Sequence, residues 1–170
     1  MNVILVSNVS ANGKVLLSDG SGYRTPQEAM GIFMQAASQA GNIVVGRKTF
    51  EIFQNIPGAL EGFSGVEMIL LSATATPSDR YKVVASAREA IEHLADKGFS
   101  QIAVFGGTQT YNAFLDENLV TDILINIHPV MTGKGGILLT RDEITTNFKL
   151  VEHKLLNENI TQLLLKRSAD

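Results

Sequence analysis

At 170 residues, with 45% hydrophobic and 18% charged side chains, the chain has the size and composition of one domain with its own core, which excludes disordered and fibrous classes. A formal charge of -3, from 14 Lys+Arg against 17 Asp+Glu, leaves no basic excess to draw it onto nucleic acid or an anionic membrane. Cysteine is absent and the three histidines (His93, His128, His153) are scattered, so disulfides and thiolate metal sites are excluded and no zinc-like spacing exists. No run approaches the roughly 20 apolar residues of a membrane span, and the short apolar start lacks the cationic flank of a signal peptide. A soluble, cytoplasmic protein with no metal is expected.

Residues 3–7 read as a β-branched strand. Residues 26–40 follow as an amphipathic helix, with Ala29, Ile32, Phe33, Ala36, Ala37 and Ala40 on one stripe. Thr25, Pro26 and Glu28 supply N-cap, N1 and N3 of a capping box. Glu28 also shares the i, i+4 line of Ile32 and Ala36, which tilts it inward. As a box partner it needs no further purpose, whereas a partly buried carboxyl there would be able to pass a proton to a substrate. A strand at 43–45 runs through Gly46-Arg47-Lys48-Thr49 into a helix over 48–54. Two cations at a helix start oppose the macrodipole by roughly 0.3–1 kcal/mol each. Either a bound anion removes that conflict, or Arg47 pairs with a nearby carboxylate in a solvated turn.

The strand at 68–71 ends at Ser72 and Thr74, whose hydroxyls either contact a ligand or close a plain turn. A strand at 83–85 and a helix over 87–97 lead to the sharpest feature, a strand at 102–105 that passes through Gly106 and Gly107 into a helix over 108–115. Bare glycine backbone and unpaired helix N–H groups favour a phosphate there, although any strand-to-helix turn has similar needs. Two such junctions at the carboxyl ends of one sheet point together to an elongated, phosphorylated ligand. In the strand at 123–127, the even spacing of Asp122 and Asn126 places both on one face. His128, before Pro129, reads as structural or solvent-facing. Segments 148–155 and 160–166 flank the polar turn Leu156-Asn157-Glu158-Asn159 as a hairpin. The Gly-rich pieces at 20–22 and 133–136 are loops, and no linker or repeat divides the chain. A single α/β domain over residues 1–170, closed by an antiparallel hairpin, is expected.

Several motifs, in this order, resemble the dihydrofolate reductase superfamily, and in particular the reductase (RibD C-terminal) domain of bacterial riboflavin biosynthesis proteins. They are Ser10-Ala11-Asn12-Gly13-Lys14-Val15, Gly46-Arg47-Lys48-Thr49-Phe50-Glu51, Gly106-Gly107-Thr108-Gln109-Thr110-Tyr111, and Leu119-Val120-Thr121-Asp122 running on to the stretch 129–135. The resemblance implies a three-layer fold around a mostly parallel, eight-stranded sheet, with NADPH as hydride donor. It implies that Gly46, Arg47, Lys48 and Thr49 hold cofactor phosphates, that Ser72 lies near the adenosine 2′-phosphate, and that Gly106, Gly107, Thr108, Gln109 and Thr110 cradle the diphosphate. Pro26-Gln27-Glu28 is similar to the segment carrying the active-site carboxylate, so Glu28 would bind a pterin-like ring and support its protonation, beside Tyr23, Asp122 and Asn126. Lys134 would meet a ribose phosphate or remain a loop lysine, and a homodimer is implied.

Tyr23 stands where dihydrofolate reductases have tryptophan, and the Gly-x-Gly form after Pro129 is that of the riboflavin-type branch. Within that branch, Thr121-Asp122 replaces Asp-Glu and Asn12-Gly13 replaces Asp-Gly. The expected activity is NADPH-dependent reduction of a small pteridine or aminopyrimidine, foremost a phosphoribosylamino-uracil. Dihydrofolate reduction and a non-catalytic nucleotide-binding role are the alternatives.

Overall fold

Where every residue of a strand is apolar, as at 43–45 and 102–105, the strand is stable only with both faces covered. The computed structural model, which describes residues 1–16 and 23–168, covers both. The loop at 20–22 lies outside the described residues. Strands β1 (Asn2–Ser10), β2 (Asn42–Gly46), β3 (Glu67–Leu71), β4 (Lys82–Val84), β5 (Gln101–Gly106), β6 (Asp122–His128), β7 (Phe148–Leu155) and β8 (Thr161–Arg167) form one sheet in the order β4-β3-β2-β5-β1-β6-β8-β7. The first six strands in that order pair in parallel, while β8 runs antiparallel to both β6 and β7. Helices α1 (Gln27–Ala40) and α2 (Arg47–Gln54) cover one face, and α3 (Ala87–Asp96) and α4 (Thr108–Leu115) the other.

Alternation assigns the side chains. Val44 and Val104 pack with Leu94 of α3 and Phe114 of α4, whereas Ile43, Val45, Ala103 and Phe105 turn to Phe33 of α1 and Phe53 of α2. The result is the expected single α/β domain of three layers with a C-terminal hairpin. In the hairpin turn, Asn157 Oδ1 accepts from the N–H groups of Asn159 (2.9 Å) and Ile160 (3.0 Å), as an Asx turn does. No helix of the described residues is long and apolar enough to cross a membrane.

Two local readings change. Helix α1 begins one residue later than expected, with Pro26 itself as N-cap at ψ 153° and no side-chain cap. The box of Thr25 and Glu28 therefore does not start this helix. A capping pair occurs instead at α3, where Ser86 Oγ accepts from Glu89 N–H (3.1 Å) and Glu89 Oε2 accepts from Ala85 N–H (2.8 Å). Strand β1 also runs three residues past the expected end at Ser7, because its backbone goes on pairing with β6 through Ser10 and its polar Asn8 finds a partner across the sheet.

Parallel pairing brings the carboxyl ends of β1, β2, β3, β5 and β6 to one edge of the sheet. That edge carries the site.

Candidate active site

At this edge β2 and β5 each pass through glycine into a helix. The N-caps of α2 and α4 are Gly46 and Gly107, and neither helix start has a side-chain cap. Their first N–H groups and the positive ends of their dipoles are left for a ligand. Both starts open onto a cleft of about 450 Å³ lined by Gly46, Arg47, Lys48, Ser72, Thr74 and the segment 107–110. Glycine is required here by close approach. A Cβ on Gly46 would stand 2.5 Å from Thr110 Oγ1 and 3.5 Å from the Gly107 nitrogen. Gly106, the last residue of β5, has φ +90° and joins Gly107 through a cis peptide bond.

Arg47 and Lys48 stand exposed at the rim, and Arg47 Nε lies 3.5 Å from Glu51 Oε1, one helical turn on. Both side chains of that pair are 55% exposed, so it holds Arg47 only weakly against a competing anion. Ser72 Oγ accepts from the N–H groups of Thr74 (3.3 Å) and Ala75 (3.1 Å). It thus closes a turn and lines the cleft at once.

The motif 46–49 is split by the helix it begins. Thr49, next to Lys48 but about 100° around the helix, is 5% exposed and lines a second, narrower cleft of about 50 Å³ between α1 and α2. The expectation that it joins Gly46, Arg47 and Lys48 is corrected accordingly. Phe33, Phe53 and Phe105 wall this second cleft, with Asn8 and Tyr111 at the sheet. Tyr111 donates from its hydroxyl to the Val6 carbonyl (2.5 Å), and burial pushes its phenol up. Thr110 lines the first cleft and its chain neighbour Tyr111 the second.

Of the substrate-side candidates, Glu28 is exposed in the first turn of α1 and does not line the second cleft. An inward, part-buried carboxyl is therefore not what the fold provides: Ala29, one residue on, is buried against the core, whereas Glu28 is exposed. Glu28→Gln is expected to leave turnover within about twofold of the parent, as for a surface substitution away from cleft and core. A steady-state assay checks this, and a fall of about a hundredfold would restore the carboxylate to the reaction.

Asp122 and Asn126 do share a face, but at opposite ends of β6. Asp122 pairs with Ile4 and Lys166 at the amino end, where its Oδ2 accepts from Thr121 Oγ1 (2.6 Å). It is thereby removed from the site. Asn126 is fully buried within a polar chain that crosses three strands. Gln162 Nε2 donates to Asn126 Oδ1 (2.8 Å), and Asn126 Nδ2 donates to Asn8 Oδ1 (2.9 Å). His128 Nε2 lies 3.1 Å from the same Asn8 oxygen, and its Nδ1 is bonded to the Tyr23 hydroxyl.

Tyr23 and Asn126 therefore face each other through this chain, and their polar atoms are engaged within the protein. Burial pushes Tyr23 up to about 12 and His128 down to about 4, so a phenol O–H donates to a neutral imidazole, whose Nε2–H donates to Asn8. Asn8 and Gln162 were not legible as site residues in the sequence. The available signal was a polar side chain at an even position of an otherwise apolar strand. Lys134 is exposed in a turn, where its N–H donates to Thr132 Oγ1 (3.0 Å).

A family model for the RibD C-terminal domain matches residues 1–162. No curated protein matches the chain. Among solved structures, one assigned to riboflavin biosynthesis from Shewanella sp. PV-4 is similar at 22% identity and TM-score 0.81, over 99% of this chain and all of that one. A pyrimidine reductase-like protein from Corynebacterium diphtheriae is similar at 17% identity and TM-score 0.76, over 99% of this chain and 92% of that one. At these identities the two structures bear on the fold.

Proposed function

We propose that this chain, which belongs to the RibD C-terminal domain family, is a reductase that uses NADPH to reduce a C=N or C=O bond of a small pteridine or aminopyrimidine. The observation that carries this reading is the pair of uncapped helix starts at Gly46 and Gly107, opening on one cleft with Arg47 and Lys48 at its rim. Those groups fit a dinucleotide. Bare backbone at Gly46 and Gly107 lets a diphosphate approach the helix N–H groups, and the two cations balance its charge. On this reading Arg47 and Ser72, which line the same cleft, meet the 2′-phosphate and so distinguish NADPH from NADH.

When bound there, the cofactor supplies a hydride, two electrons with one hydrogen, to the acceptor carbon and is left oxidised. The residues hold the reactants and exclude water. Phe33, Phe53 and Phe105 give the acceptor ring an apolar slot in the second cleft. A proton must also reach the nitrogen or oxygen beside the reduced carbon. No carboxylic acid or imidazole lines that cleft among the described residues.

Loss of nicotinamide absorbance in the presence of a dihydropteridine or diaminopyrimidine acceptor tests the reading. Oxidation dependent on acceptor supports it, and none with either class contradicts it. Arg47→Ala is expected to weaken NADPH about tenfold, the value of a charge-assisted contact, and NADH less than about threefold. Equal losses in a parallel binding titration would remove Arg47 from the 2′-phosphate.

A further inference from the structure

Helix α3 lies over β3 and β4 and helix α4 over β2 and β5. The same face of the sheet continues past β1 through β6, β8 and β7. Residues paired across neighbouring strands share a face, so Leu163 stands between Ile125 and His153. In the row on one side Leu165 pairs with Leu150, and in the row on the other Thr161 lies between Ile127 and Leu155. Ile125 and Leu165 pack at the margin of the core that holds Leu94 and Phe114, which places these rows on the α3 and α4 side. Leu150 and Leu155 are 56% and 66% exposed, and Ile125, Ile127, Leu163 and Leu165 are buried only in part. The other face of the hairpin is that of a solvated sheet. There Lys149, Glu152, Lys154 and Lys166 surround Leu164, and Glu152 pairs with Lys154 (3.7 Å). Contiguous apolar rows left to water on one side alone mark a surface for association.

We propose that this face packs against the same face of a second copy of the chain, in a two-fold dimer whose sheets lie about 10 Å apart. The free edge of β7 is the poorer route, because a shift of register between Leu150 and Glu152 and the flanking Lys149 and Lys154 obstruct strand pairing along it. The face is complementary to itself. Arg167, two residues beyond Leu165 and so on the same side, closes one end of it, and the hairpin turn with the exposed Glu158 closes the other. A two-fold axis running across the strands at Leu163 and His153 turns the basic end of each copy toward the acidic end of the other. It also sets Leu150 over the second copy's Leu155 and Leu163 over its own counterpart. Charge and apolar rows are matched by one operation. Neither match depends on what the two clefts bind.

Sedimentation equilibrium of the purified full chain tests the assembly, and at about 10 µM the expected mass is twice the 18.4 kDa of one chain. Leu150→Glu combined with Leu155→Glu sets carboxylate over carboxylate across the axis. It should raise the dissociation constant at least about a hundredfold. Both positions are more than half exposed in the single chain, so circular dichroism of the double variant should match that of the parent. A second measurement leaves the apolar rows intact. The chain has no cysteine, so a thiol placed by substitution is the only one a bismaleimide can bridge. His153→Cys, on the axis, should cross-link two chains, whereas Glu152→Cys, one residue away on the other face, should cross-link at least about tenfold less.

A single-chain mass for the parent overturns the proposal. So does a dimer that the double glutamate variant leaves as tight as the parent, which would place the contact on another surface. Cross-linking at 152 equal to that at 153 overturns it as well, because the hairpin would then not meet its counterpart through the apolar face.

Discussion

Gly106→Ala is expected to lower stability by about 3 kcal/mol and the melting temperature by about 6–12 °C, from backbone strain plus overpacking of a filled core. At φ +90° an L side chain is strained, and the new Cβ would lie 2.5 Å from two ring atoms of Tyr111. Tyr111 is held in place. It is 1% exposed and tied through its hydroxyl to the Val6 carbonyl at 2.5 Å. Gly98→Ala separates the two causes, because Gly98 has φ +86° and nothing within 4 Å of its would-be Cβ. It should lose only the strain, about 1 kcal/mol. Equal shifts in thermal unfolding would mean that the contact with Tyr111 contributes nothing. Since Gly106 also sets the path into α4, the same substitution should weaken dinucleotide binding.

Acid should destabilise the protein through His128 before most of its carboxylates titrate. The imidazole is 1% exposed and burial holds it neutral, down to about 4 from an ordinary 6.5. The folded-state value is the lower one, so between pH 6.5 and 4 the unfolded chain binds a proton that the folded chain refuses. Stability is therefore complete above pH 6.5, falls as pH drops toward 4, and loses about 3 kcal/mol from this group across that window. Denaturant unfolding of the parent and of His128→Asn at pH 7 and pH 4.5 measures it. The variant, less stable at pH 7 because Tyr23 and Asn8 lose a partner, should show a much shallower fall. Parallel falls would place the acid sensitivity elsewhere.

Periodicity and turn chemistry made most of the architecture legible. The elements at 108–115 and 148–155 have their expected bounds, and the unbroken apolar strands correctly implied cover on both faces. The glycine junctions were legible too, because a strand that runs through glycine into a helix has few other geometries. What escaped the sequence depends on where a chain position lies in space. Asp122 and Asn126 have the right parity for one face, but parity says nothing about which end of a strand meets a site. Thr49 belongs to the same short motif as Arg47, yet one residue of helical rotation sends it to the other cleft. The extension of β1 through Asn8 needed partners on β6 that lie 118 and 120 residues away in the chain. Glu28 is exposed rather than tilted inward, because extending the line of Ile32 and Ala36 by one turn reaches solvent.

The central claim, that two uncapped helix starts and their cations form a cofactor cradle, is tested most directly by titrating the purified protein with NADPH and with NADH while following nicotinamide fluorescence. The account predicts saturable binding of one cofactor per chain, tighter for NADPH and weakened by Gly106→Ala. Failure of both nucleotides to bind the well-folded parent would contradict it.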